Sequence, residues 1–180
     1  MRVFVALELP SKTKDNLERS SNQFAELATG GNFVKKDNFH VTLHFIGNVA
    51  ESQLIYIQSA MDAVRDLHAP ELAVTQFALL RASDIVCAKL RQNADLINLH
   101  DTLGARLEAN GFDVEHRAYR PHVTLIRKKS FALPFAEVTK SVKVYNMPFV
   151  ADSVVLYESV FAEGGVTYRE LYRVTLTPKQ

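Results

Sequence analysis

This chain of 180 residues has one cysteine, no tryptophan and almost no net charge. A lone thiol, Cys87, excludes an internal disulfide framework and fits a reducing cytosol, so the expected location is cytoplasmic. With 21 Lys and Arg against 20 Asp and Glu there is no global basic field, and any affinity for a polyanion must come from local clustering. No stretch approaches the ~18 apolar residues of a membrane span, so no membrane partner is expected. The opening Met1-Arg2-Val3-Phe4-Val5-Ala6-Leu7-Glu8-Leu9-Pro10 is too short in its apolar run for a signal peptide and reads as a buried first strand. A Gly-rich phosphate loop, a Gly-x-Ser-x-Gly elbow, a dinucleotide fingerprint and a cysteine cluster are absent as well, which removes the chemistries those motifs support.

What the chain does have is a tetrapeptide written twice: His40-Val41-Thr42-Leu43 and His122-Val123-Thr124-Leu125. Each copy is β-branched and apolar enough to be a strand. Side chains alternate across a strand, so Val and Leu can be buried while His and Thr share the other face. Two such strands facing each other would bring two imidazoles and two hydroxyls around one small anion. That is equipment for acid–base attack on a phosphodiester.

The surrounding pattern is mixed. A strand over Val3–Leu9 stops at Pro10, with Ser11 as N-cap of a helix that carries Leu17, Phe24 and Leu27 and ends near Gly30-Gly31. The first motif strand runs to Gly47. A second helix carries Leu54, Ile57, Met61 and Val64, and strands over Leu72–Leu80 and Ile85–Leu90 follow across a turn at Ala82-Ser83-Asp84. A third helix stripes Leu96, Leu99, Leu103 and Leu107 and ends at Asn110-Gly111. After the second motif strand comes an irregular stretch, then a hairpin of Ser153–Phe161 and Val166–Leu176 around Gly164-Gly165. This order predicts an α+β fold with mainly antiparallel sheets. A composition 47% hydrophobic can bury one core, and no linker separates the halves, so residues 1–180 read as one bilobal domain with a motif strand per lobe.

The chemistry needs two histidines in different protonation states at one site. A neutral imidazole takes a proton from water while a protonated one gives a proton to the leaving oxygen. Thr42 and Thr124 can donate to the phosphate oxygens, and cations lie at both copies: Lys35 and Lys36, Arg120, Arg127, Lys128 and Lys129. Arg127 can reach the phosphate from the strand end. A single His-x-Thr is usually only a half-buried strand with two polar residues on its exposed face; two copies, each with a neighbouring cation, weigh against that. Metal binding fits poorly. His40 and His44 would bind zinc at i, i+4 on a helix, but on a strand they stand roughly 13 Å apart. His44 reads as a polar residue at the strand end, ahead of a place on the cleft rim, His68 and His100 as structural, and Cys87 as a small core residue.

These residues resemble the 2H phosphoesterase superfamily, named for two His-x-Thr/Ser-x motifs, and most of all the bacterial and archaeal RNA 2′,3′-cyclic phosphodiesterases, also called 2′-5′ RNA ligase-like proteins. The similarity lies in Val3 to Pro10, in Asp37-Asn38-Phe39-His40-Val41-Thr42-Leu43-His44-Phe45-Ile46-Gly47, in Arg120-Pro121-His122-Val123-Thr124-Leu125-Ile126-Arg127, and in Leu156-Tyr157-Glu158-Ser159 with the hairpin ending at Tyr172. The resemblance implies a bilobal α+β fold of two mainly antiparallel sheets related by a pseudo-twofold axis, with helices outside and no catalytic metal or cofactor. It implies action on RNA with a 2′,3′-cyclic phosphate end to leave a 2′-phosphate; a monomer is expected. His40 is then the proton donor, His122 the proton acceptor, and Thr42, Thr124 and Arg127 hold the phosphate. Where many relatives carry a mid-chain tryptophan, this chain reads Ile85-Val86-Cys87-Ala88-Lys89, which leaves base recognition open. Three other readings of the same site are 2′-5′ RNA ligation, hydrolysis of a small cyclic nucleotide, and a non-catalytic module that binds RNA ends.

Overall fold

A computed structural model describes residues 1–82 and 84–180, so Ser83 of the expected Ala82-Ser83-Asp84 turn lies outside the described residues. The chain builds two four-stranded sheets. The first contains β1 (Arg2–Glu8), β3 (His40–Asn48), β9 (Ser153–Ala162) and β10 (Gly165–Thr175), in the order β10-β9-β1-β3. The second contains β2 (Ala28–Phe33), β5 (Val74–Leu80), β6 (Ile85–Leu90) and β7 (His122–Phe131), in the order β2-β7-β6-β5. A two-stranded ribbon joins β4 (Glu71–Leu72) to β8 (Phe149–Val150). Every ladder between these strands is antiparallel. The expected α+β architecture is present, with one motif strand in each sheet.

Neither sheet is a contiguous half of the chain. Helix α1 (Ser11–Leu27) follows a strand of the first sheet yet packs on the second, where Phe24 meets Phe77 edge-on at 4.9 Å. Helices α2 (Leu54–Asp62) and α3 (Ala94–Ala109) touch β10 and β3 of the first sheet. Leu96, Leu99, Leu103 and Leu107 of α3 are all fully buried, as their spacing predicted. Val41, Leu43, Val123 and Leu125 are also buried, so each motif strand turns its apolar pair into the core.

Several local expectations need correction. Ser11 is the first helical residue of α1, not its cap; Pro10 stands before it and its carbonyl accepts the Lys14 N–H at 3.0 Å. The helix ends at Leu27, short of the glycines, because residues 28–33 pair with β7. Gly31 adopts φ +133°, and a Cβ there would stand 3.1 Å from Ile126, so this crossing of strands needs glycine. The expected strand over Leu72–Leu80 breaks at Ala73 into β4 and β5. Within the stretch read as irregular lie a short helix, α4 (Phe135–Thr139), and β8. His44 is not a strand-end polar residue but is buried, at 4% exposure.

Candidate active site

The two motif strands repeat each other in detail. From His40 and from His122, five residues run half-buried, buried, half-buried, buried, buried, and the sixth is exposed. Each imidazole Nδ1 lies 2.7 Å from the backbone carbonyl two residues earlier, Asn38 for His40 and Arg120 for His122. A carbonyl only accepts, so Nδ1 carries the proton of the neutral ring and Nε2 is left as the reactive nitrogen in both. This duplication is what a pseudo-twofold relation between the sheets requires.

The buried pair in each strand marks a β-bulge. The pairing of β7 with β6 shifts register, so Cys87 lies across from Thr124 and Val86 from Ile126, with Leu125 the extra residue. Side-chain alternation changes phase there. Without the bulge Arg127 would turn away from His122; with it, the exposed guanidinium shares the face of His122 and Thr124. Strand β3 shifts equivalently against β1, where Val5 pairs with His44 and Ala6 with Thr42. Phe45, half exposed, occupies the position that Arg127 holds in β7.

His40 sits in an aromatic enclosure that patterning along the chain did not reveal. Phe4 lies 4.9 Å from its ring, Tyr168 meets it edge-on at 5.2 Å, and Tyr157 stands at 6.5 Å between centroids. These come from β1, β10 and β9, and only cross-strand register could have announced them: Phe4 pairs with Tyr157, and Glu8 with His40. Burial among these rings drives the His40 pKa down to about 4. The Asn38 carbonyl works in the opposite direction, and the charges of Arg127, His122 and Lys14 lower the pKa further. Arg127 and His122 therefore lie near enough to oppose a proton on His40. The two motif strands, β3 and β7, also pack against each other.

Thr42 Oγ1 lies 3.0 Å from His40 Nε2, so the hydroxyl donates to the neutral ring. Thr124 stands on the matching face of β7, across from Cys87, whose thiol is pushed up to about 11 by burial and stays protonated. Lys89 pairs directly with His122 in the β6–β7 ladder. Beside them opens a cavity of about 450 Å³ lined by Gln76, Leu79, Lys89, Arg120 and His122 among others. Among the described residues no three His, Cys, Asp or Glu side chains cluster in a way that could hold a metal ion. His44 points away from His40, toward α3, where its Nε2 donates to the His100 carbonyl at 2.7 Å.

Comparison with known proteins agrees with this geometry. The family described as LigT like Phosphoesterase matches residues 7–85, a span that includes the first motif. An RNA 2′,3′-cyclic phosphodiesterase of Methanocaldococcus jannaschii is 27% identical over 99% of this chain and 94% of its own length. One of Escherichia coli is 28% identical over 98% and 97%. Another, from Geobacillus stearothermophilus, is 27% identical over 87% of this chain, which spans only about half (51%) of that relative. Among solved structures, E. coli LigT complexed with 3′-AMP superposes with a TM-score of 0.80 at 26% identity, covering 98% of both chains. A Thermus thermophilus protein at 20% identity shares the fold over the full length of both, with a TM-score of 0.83. With two His-Val-Thr-Leu strands folded in this manner, the chain is similar to the LigT-like phosphoesterases in motif and in fold.

Proposed function

We propose that this protein hydrolyses the 2′,3′-cyclic phosphate at an RNA end to a 2′-phosphate, without a metal, using His40 and His122 as acid and base. Three relatives compared above are named for that activity, and E. coli LigT has been seen with a nucleoside monophosphate, 3′-AMP. What carries the proposal is the duplicated imidazole: two rings with Nδ1 tied to a backbone carbonyl, each beside a threonine on the same strand face.

In this scheme the non-bridging oxygens of the cyclic phosphate accept from Thr42, Thr124 and the Arg127 guanidinium, where charge grows in the transition state. His122 Nε2 takes a proton from water as the new oxygen–phosphorus bond forms. The bond from phosphorus to O3′ breaks, and His40 Nε2 gives O3′ its proton. This division of labour follows the family resemblance.

The resting site is not yet charged for that role, because burial and the neighbouring cations keep His40 neutral at pH 7. A phosphodiester bound among His40, His122 and Arg127 adds a negative charge that offsets their repulsion and favours the imidazolium. The donor proton is therefore taken up together with the anion. The test is an RNA oligonucleotide with a 2′,3′-cyclic phosphate end, incubated with the enzyme in chelator and analysed by ³¹P NMR. A 2′-phosphomonoester is the expected product; a 3′-phosphomonoester or an unchanged substrate refutes the proposal.

A further inference from the structure

We propose that a stack of three rings, His44, His100 and Tyr119, pins the two motif strands to each other and sets the spacing of the two imidazoles. The proposal rests on the reaction given under Proposed function and identifies positioning residues for it.

The stack is continuous. The His44 and His100 rings lie 4.2 Å apart at 23°, and those of His100 and Tyr119 lie 4.0 Å apart at 13°. Each ring comes from a different place: His44 from β3, His100 from α3, and Tyr119 from the segment leading into β7. At the far end, the Tyr119 hydroxyl donates to the backbone carbonyl of Thr42 at 2.8 Å. β3 is the edge of its sheet, and an edge strand leaves carbonyls unpaired. Tyr119 thus satisfies, from the second motif's approach, an acceptor in the first motif itself. Burial raises the phenol pKa well above its usual value, so the hydroxyl keeps its proton through the working pH range.

The linkage from Tyr119 to His122 is short and stiff. Arg120, next to Tyr119, supplies the carbonyl that orients the His122 ring, and Pro121 restricts the backbone between them. Displacing Tyr119 therefore displaces the acceptor that aims His122 while releasing the carbonyl of Thr42.

The helix gives up stability to hold this stack. Gly104, in the middle of α3, is a poorer helix former than alanine. A Cβ there would stand 2.9 Å from His44 Cε1 and 3.0 Å from Nε2. Glycine lets the buried ring lie flat against the helix, where it donates to the His100 carbonyl. His100 is anchored in turn by its Nδ1, 2.9 Å from the Asp101 carboxylate.

Tyr119→Phe, His100→Phe and His100→Ala test the pin in the full-length protein, with steady-state kinetics on a cyclic-phosphate oligonucleotide and amide hydrogen exchange. Tyr119→Phe keeps the ring and loses the hydroxyl; kcat falls about tenfold or more, as sub-ångström misplacement of catalytic groups does, with KM within threefold. His100→Phe retains most of the wild-type kcat because the stack survives, whereas His100→Ala loses kcat as Tyr119→Phe does. Exchange in residues 118–124 speeds up in Tyr119→Phe and His100→Ala. The pin is refuted if Tyr119→Phe keeps kcat within twofold, if the loss falls on KM, or if His100→Phe is as impaired as His100→Ala. A wild-type protein that opens no cyclic phosphate refutes the reaction instead, and exchange alone then decides whether the stack joins the two segments.

Discussion

Nε2 of His40 accepts the hydroxyl of Thr42 at 3.0 Å while Nδ1 donates to the Asn38 carbonyl at 2.7 Å, so the resting imidazole is neutral and fully engaged. In the proposed reaction a bound phosphate accepts the hydrogen bond of the Thr42 hydroxyl in place of the ring, freeing Nε2 to be protonated. Substrate binding and arming of the acid are then a single event.

The pH dependence of catalysis follows. kcat/KM reports the free enzyme, where His40 titrates at about 4 and must hold its proton to act as the acid, so the alkaline limb is expected to begin near that pH. kcat reports the complex, in which the phosphate charge raises the His40 pKa, and its alkaline limb moves to higher pH. Arg127→Ala removes a charge that lowers the His40 pKa, so the kcat/KM limb also moves up in that variant. Coincident alkaline limbs for kcat and kcat/KM would contradict this coupling.

Stability follows the same titration. The folded pKa of His40, about 4, lies below that of an unfolded imidazole, so the unfolded chain binds more protons between the two values. Stability therefore rises with pH across that window and levels off above it. At about 1.4 kcal/mol per unit, His40 accounts for up to about 3 kcal/mol between pH 4 and 7. Urea midpoints for wild type and His40→Asn, at pH 4.5 and 7, isolate this part from that of His44, whose pKa is also lowered by burial. An unchanged difference between the two pH values in His40→Asn would show that the enclosure does not suppress the His40 proton.

Under the proposed reaction, substituting either motif histidine should disable the enzyme without unfolding it. His40→Ala and His122→Ala are each expected to lose roughly 10²–10⁴-fold in kcat, the range for a positioned acid or base. Circular dichroism and thermal melting at pH 7 check the fold, and EDTA should leave the wild-type rate unchanged. A variant with normal kcat removes its histidine from the mechanism.

Much of this was legible in the chain because it depends on local pattern. The motif strands, the leucine stripe of α3 and the closing hairpin each carry a period or turn signal that tertiary contacts only reinforce. The misses lie where long-range pairing decides. Residues 28–33 contain two glycines that look like a helix stop, yet they pair with β7. The ring of Phe4, Tyr157 and Tyr168 around His40 is assembled from three strands, and no spacing within one strand encodes it. Simple alternation along the strand turns Arg127 away from His122 and Thr124, and only the register shift at Leu125, a feature of strand pairing, returns it to their face.

Gly104→Ala separates helix propensity from packing. On an exposed helix face the change would gain about 1 kcal/mol. Here the new methyl collides with the His44 ring, which is buried and cannot swing aside, so a net loss of about 1–3 kcal/mol is expected from overpacking. Chemical denaturation measures it. A more stable variant would mean the ring has room that the 2.9 Å approach denies.

The central claim is that His40 and His122 address one phosphorus atom, and titration of the protein with inorganic phosphate, followed through the imidazole Cε1–H signals, tests it most directly. Both rings are expected to shift along a single binding curve with one Kd, and the His40 pKa to rise on saturation. Response of only one ring, or two curves with different Kd values, would contradict it.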